Sequence, residues 1–252
     1  MKLLTLARDL RRRKARERQQ LFAAEGVRTV EELVRSSFRI HGVLVAPQLV
    51  EAPRGAALIA ELRTRGADVV EVGASEFASA AETESPQGVL AIGEIPSTRL
   101  DTLELPPRAR LVILDGVQDP GNVGTILRTA AALGAAGVLA LPGTVDLWNA
   151  KVVRSAMGAH FHMPAMACGW DALDAFRARA GIALWGADAG GSALETLAAP
   201  DRLALLVGNE GAGLSQEGRA RAEVIAALPI SSAVESLNVA VATGIFLYQL
   251  RT

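Results

Sequence analysis

The sequence predicts an α/β protein in two parts: a mostly parallel sheet with helices on both faces, and a small N-terminal α/β domain ahead of it. Three observations carry this. Beyond residue 110, short aliphatic runs alternate with helical patterns, as buried parallel strands and their crossover helices do. Before residue 95 the same alternation recurs on a smaller scale. Between the two, Pro96-Ser97-Thr98 and Pro106-Pro107 lack apolar periodicity and read as a semi-rigid linker. The partition expected is 1–95, a linker at 96–109, and 110–252.

In the smaller domain, residues 1–21 read as a basic helix that ends in a turn at 22–26. A helix follows at 27–34, with Glu31 and Glu32 on its outer face. A buried strand at 42–46 is closed by Pro47, and a helix at 56–65 is stopped by Gly66. A strand at 68–72, a small-residue helix or loop at 75–83, a turn at 85–88 and a strand at 89–92 complete it. In the larger domain the strands expected are 111–114, 137–141, 182–186, 203–207 and 224–228. Its helices are 123–133, 149–157, 171–180, 215–221 and 236–250. Ser236 is the expected N-cap of the last helix, and Asn238 is a polar side chain in an otherwise apolar first turn that requires a partner or a ligand.

Composition limits the function classes. A chain of 252 residues with a formal net charge of −1 is not a uniformly basic nucleic-acid binder, and no run approaches a membrane span. The charged N-terminus lacks an apolar secretory region, and the single cysteine, Cys168, excludes an intramolecular disulfide framework and a cysteine metal cluster. A cytoplasmic protein is expected. His160 and His162 straddle Phe161 in an apparent strand with no third ligand nearby, so no metal site is expected. Arginine outnumbers lysine throughout, which a GC-rich genome explains. The clustering of Arg8, Arg11, Arg12, Arg13, Lys14, Arg16 and Arg18 against only Asp9 and Glu17 is not so explained.

Three loops after strands of the larger domain are rich in Gly, Asn and charge, where ligands of open α/β sheets bind. The first, 115–130, holds Asn122 at a helix start and Arg128 six residues on; the two lie off any common helical stripe but converge on a ligand if Asn122 caps the helix and Arg128 reaches back along it. A generic anion-binding turn competes there, but the loop has neither a dinucleotide glycine pattern nor a P-loop lysine. The second, 207–215, sets Asn209 and Glu210 among Gly208, Gly211 and Gly213, more glycines than a plain turn needs and enough for backbone to lie against a flat ligand. The third, 228–246, runs from Leu228 and Ile230 through Ser236, Leu237 and Asn238 into the last helix.

These three stretches resemble the signature motifs of the SpoU/TrmH family of RNA ribose 2′-O-methyltransferases, in the SPOUT superfamily. Residues 11–26 and Ser85-Pro86-Gln87-Gly88-Val89-Leu90-Ala91 resemble the small RNA-binding module that many members carry, itself similar to ribosomal proteins that grip kinked RNA. Val153-Arg154-Ser155-Ala156-Met157-Gly158-Ala159 resembles a further family stretch, with Ala156 where Ser is frequent. Ile230 and Ser232 stand where the family usually has Met and Gly, and Ala233 where a polar residue is frequent.

The resemblance implies a C-terminal trefoil knot, S-adenosyl-L-methionine as cofactor, and methylation of a ribose 2′-hydroxyl in rRNA or, second, tRNA. Carried over, Gly208, Asn209, Leu228, Ile230 and Leu237 would meet the cofactor. Arg128 would orient the ribose–phosphate and stabilise developing alkoxide, because a neutral guanidine is costly; the proton's destination is open. Asn122, Glu210, Ser236 and Asn238 would hold those groups. The basic cluster would contact RNA phosphates. The family also implies a homodimer through the C-terminal domain. The nearly all-apolar final helix fits that, and fits burial within its own domain equally. The competing class is a catalytically silent RNA-binding protein that keeps the fold.

Overall fold

The computed structural model describes residues 2–251, and by its internal contacts the chain forms two compact units. The first contains residues 1–97 together with Trp148–His162, and the second contains 98–147 and 163–252. The sequence partition assigns 148–162 to the larger domain; in the contacts it groups with the first unit.

The first unit opens on α1 (Lys2–Asp9) and α2 (Arg13–Gln19), two helices where one was expected. Then come β1 (Leu21–Glu25), α3 (Val27–Arg35), β2 (Ile40–Val45), α4 (Pro47–Val50), α5 (Pro53–Thr64), β3 (Val69–Glu71), α6 (Ala74–Ala80) and β4 (Val89–Glu94). Its four strands pair in the order β1-β4-β2-β3, antiparallel except for β2 with β3. The expected turn at 22–26 is instead β1, buried along its whole length. Its apolar residues do not alternate with polar ones, so local pattern does not separate it from a helix end. One side of the sheet packs on Leu4, Ala7, Leu10 and Phe77. Phe22 of β1 meets Trp148 at a ring-centroid distance of 4.7 Å and Phe161 at 5.9 Å, while Phe38 lies 5.3 Å from Phe161. Such aromatic pairs contribute about 0.5–1.5 kcal/mol each beyond area burial, which is why this distant segment belongs here.

The second unit contains β5 (Ala109–Asp115), α7 (Pro120–Ala132) and β6 (Gly137–Ala140). The chain passes through α8 (Ala150–Ser155) in the first unit, then returns as β7 (Ala165–Ala167), α9 (Trp170–Ala180) and β8 (Ala183–Ala193). It ends with β9 (Arg202–Gly208), α10 (Gln216–Arg221), β10 (Val224–Ala227) and α11 (Val239–Leu250). The six strands run in the order β10-β8-β9-β5-β6-β7, every pairing parallel. The α/β class with a mostly parallel sheet is therefore borne out. The core joins Leu111, Ile113, Leu139, Leu184 and Leu206 of the strands to Leu173 and Phe176 of α9. Residues 160 and 162, expected on a strand, lie in and just after a 3-10 turn over Ala159–Phe161. The short edge strand β7 escaped the sequence, since three residues carry no usable period.

Candidate functional site

The site is built where β5 and β9 end side by side. Asp115 and Gly208 are register partners, so the loops that follow them leave the sheet as neighbours. Asp115 is 5% exposed, and its Oδ2 accepts from Ser215 N at 2.7 Å, tying the far end of the second loop to the end of β5. A Cβ on Gly208 would sit 2.2 Å from the backbone carbon of Gly213, so only glycine lets the loop fold back here. Asn209 organises that fold: its Oδ1 accepts from Gly211 N and Ala212 N, both at 3.0 Å, and its Nδ2 donates to Gly116 O at 2.8 Å.

Glu210 gathers the first loop. Its Oε1 accepts from Asp119 N at 3.0 Å and Asn122 Nδ2 at 2.9 Å, and its Oε2 from Gln118 N at 3.2 Å. Desolvation pushes its pKa up, but the bonds from Asn122 and from backbone N–H groups outweigh this and hold it below the usual carboxylate value. Asn122 does not cap α7. Asp119 does, accepting from Asn122 N at 2.8 Å, with Pro120 behind it, and Asn122 sits in the first turn with its side chain turned to Glu210.

The third loop closes the circuit. Asn238, and not Ser236, is the N-cap of α11: its Oδ1 accepts from Ala240 N at 2.9 Å and Val241 N at 3.3 Å. Its Nδ2 donates to Asn122 Oδ1 at 2.9 Å. Asn238, Asn122 and Glu210 thus form one continuous chain of hydrogen bonds. Capping uses the oxygen of the Asn238 amide and leaves its separate NH2 group to donate to Asn122.

A cavity of about 530 Å³ adjoins this chain. Gly208, Asn209, Leu228, Ile230, Ser236, Leu237 and Asn238, all singled out in the sequence, line it together with Glu210. Asp188, just beyond the 182–186 run, also lines it and ion-pairs with Arg219. The sequence reading missed Asp188; a carboxylate directly after an aliphatic strand run was the available signal. Arg128 is not brought into the group. It lies exposed on α7, outside the cavity lining.

The basic cluster of the first unit divides in the structure. Arg16 is 3% exposed and donates to Leu10 O and Arg11 O at 2.7 and 3.0 Å, so it holds the bend between α1 and α2 instead of facing solvent. Arg8 bonds Ser79 Oγ, Arg12 pairs with Asp9, and Arg13 pairs with Glu17. Arg11, Lys14 and Arg18 are exposed. Among the described residues no cluster of His, Cys, Asp and Glu that could hold a metal is found, and no helix is long and apolar enough to cross a membrane.

Residues 109–248 match the family model described as the SpoU rRNA Methylase family, and residues 5–91 match an MRM3-like substrate binding domain. The chain is 33% identical to the 23S rRNA (guanosine(2553)-2′-O)-methyltransferase RlmP of Bacillus subtilis, over 97% of this chain and 94% of that one. Among solved structures it is similar to the SpoU methyltransferase AviRb from Streptomyces viridochromogenes in complex with the cofactor AdoMet. The TM-score is 0.89 and the identity 28%, over 98% of this chain and 96% of that one. It is likewise similar to an AdoMet-bound rRNA methyltransferase from Sinorhizobium meliloti, with a TM-score of 0.86 and 30% identity over 98% and 93% of the two chains.

Proposed function

Because the chain belongs to the SpoU rRNA methylase family, we propose that the cavity beside the Asn238–Asn122–Glu210 chain is where it methylates a ribose 2′-hydroxyl of rRNA. The protein is an S-adenosylmethionine-dependent RNA (ribose-2′-O)-methyltransferase. The observation that carries the assignment to this cavity is that Asn238 and Glu210 are both lining residues and ends of the hydrogen-bonded chain.

The residues present fit the cofactor. The cavity volume lies within the roughly 300–1,000 Å³ of small-molecule sites. Leu228, Ile230 and Leu237 give apolar walls for a flat, neutral base, and the glycines at 208, 211 and 213 leave backbone groups to read its edge. When bound, S-adenosylmethionine supplies an electrophilic methyl group.

The chain's own residues position and polarise the nucleophile. Asn238 and Asn122, locked amide to amide, orient the groups around the ribose, and Glu210 fixes Asn122 from the other side. Ser236 lines the same wall and offers a hydroxyl to the hydroxyl group being held. Arg128 carries a permanent charge that favours alkoxide over hydroxyl as the proton leaves.

Arg128 lies outside the cavity lining, and the same reading accounts for this through a homodimer. Val241, Ile245 and Tyr248 of α11 are 52%, 39% and 55% exposed, and at their spacing they form one apolar stripe. α7, which carries Arg128, packs against α11, with Gly244 close to Thr129. A second copy docked on that stripe therefore brings Arg128 to the interface. A C-terminal knot, a partition at 96–109 and a cytoplasmic location belong to the same proposal. The knot is supported by the second and third loops lining one cavity. The competing reading, a silent RNA binder, accounts for Asn238 as the cap of α11 but not for the cavity that the Asn–Asn–Glu chain borders.

Mass mapping of ribose methylation in rRNA from cells with and without the protein tests the function; no missing methyl group in its absence rejects it. Titration calorimetry should give one S-adenosylmethionine site per chain in the presence of a chelator. Cell fractionation checks the location.

A further inference from the structure

The stretch Val153-Arg154-Ser155-Ala156-Met157-Gly158-Ala159 has no part in the methylation site, and it belongs to the first unit. There it helps to wall a second cavity, of about 720 Å³, whose lining includes Glu25, Arg28, Gln48, Gln87, Arg154 and Met157. This volume also lies within the roughly 300–1,000 Å³ of small-molecule sites.

Glu25 is 2% exposed at the end of β1 and is satisfied by Glu82 N at 2.9 Å and by Thr83 Oγ1. Arg154 stands 3.8 Å from its Oε2, too far for a hydrogen bond, and Arg154 Nη1 is a buried nitrogen with no hydrogen-bond partner. The Arg154 side chain is 32% exposed and its charge faces the Glu25 carboxylate, so what a ligand oxygen adds is the hydrogen bond that Nη1 lacks. The approach of Arg154 is tightly built. Met157 adopts φ +50°, a conformation rare for a side-chain-bearing residue, and Gly158 follows at φ +92°. A Cβ on Gly158 would meet Glu32 Cβ at 2.5 Å, so the segment is seated directly on α3.

The wall chemistry narrows the ligand. Arg154 and Arg28 ask for an anion, Gln48 and Ser85 offer neutral hydrogen-bonding groups, and Leu49 and Met157 offer apolar surface. A phosphate joined to a flat, polar-edged base answers all three, and unstacked nucleotides are what proteins read in single-stranded RNA. We propose that this cavity takes one unstacked nucleotide of the RNA substrate, with Arg154 on its phosphate. The inference rests on the rRNA methyltransferase reading and adds a recognition site separate from the methylation cavity.

The test uses the full chain and in-vitro transcribed fragments tiling 23S rRNA, some carrying 4-thiouridine. Arg154→Gln is expected to weaken binding of the best fragment about tenfold and to lower the slope of log affinity against log salt by about one. Ser85→Trp, which fills the cavity without removing charge, is expected to weaken binding similarly. Neither variant should change affinity for S-adenosylmethionine. Cross-links in the wild type should map to the cavity-wall peptides around residues 26–28, 48 and 85–87. Wild-type affinity in both variants, or cross-links confined to α1 and α2, overturns this proposal and leaves the methyltransferase reading standing. A wild-type protein that binds none of the fragments overturns the rRNA assignment and this inference with it. If Arg154→Gln unfolds, Ser85→Trp and the cross-links decide.

Discussion

Asn238 Nδ2 donates to Asn122 Oδ1 at 2.9 Å, so two helix starts 116 residues apart in sequence are joined amide to amide. The same Asn238 caps α11 with its oxygen, and Asn122 passes the contact on to Glu210. Stability of the last helix and geometry of the site are thereby held by one side chain.

That double duty can be separated by substitution. Asn238→Ala should lose both functions, with about 1 kcal/mol lost from the cap and methylation strongly reduced. Asn238→Asp should keep the cap, since the carboxylate still accepts from Ala240 N and Val241 N, but it has no donor for Asn122. Thermal unfolding near wild type with a large fall in methylation is expected for Asp. Equal activity of Asp and wild type would remove the Asn238–Asn122 bond from the mechanism.

Glu210 predicts an acid limit on cofactor binding. Its pKa in the fold lies below the usual value, so the order it imposes is fully present above the unfolded value of about 4.3. That order is lost as pH falls through the lower folded value. Calorimetric affinity for S-adenosylmethionine should hold from neutrality down to the unfolded value and drop only below it. Glu210→Gln should bind more weakly at pH 7 and lack that drop, because its amide presents donors to N–H groups. A pH profile unchanged by the substitution would contradict this role.

Arg128→Ala should lower the single-turnover methylation rate about 10²–10³-fold, the cost of removing one transition-state contact, with cofactor affinity unchanged. Arg128→Lys should not restore it, because an ammonium cannot reproduce the planar fork. Near-wild-type rates for Ala would exclude Arg128 from the chemistry.

Ile245→Glu places a charge in the middle of the α11 stripe. Light scattering should show a dimer for the wild type and a monomer for this variant, with methylation falling in step. A wild-type monomer would reject the dimer and with it the route by which Arg128 reaches the ribose.

Burial pushes the Cys168 thiol up to about 11. Little thiolate is then present at pH 8, and iodoacetamide should label the folded chain far more slowly than the urea-unfolded chain. Equal rates would show that the thiol is open to solvent in solution.

Much of this protein was legible along the chain. Strands β5, β6 and β9 are aliphatic runs buried on both faces, and the clustering of Gly, Asn and Glu after 114, 207 and 228 marked the loops that meet. Residue type settles these points, because period, glycine freedom and capping chemistry act over a few neighbours. Tertiary structure decided what depends on partners far away in sequence. Ser236 and Asn238 are both good caps locally, and only the reach to Asn122 distinguishes them. Arg16 has the same local charge as Arg11 or Arg18, yet the bend between two helices buries it against carbonyls. Leu21–Glu25 is a strand because β4 pairs with it, and Trp148–His162 joins the first unit because Phe22 and Phe38 receive its rings. For Asn238, β1 and Trp148–His162 the deciding energy is a contact between segments that the sequence keeps apart, and no local window contains both sides of it; for Arg16 it is the bend that turns carbonyls five and six residues back onto its guanidinium.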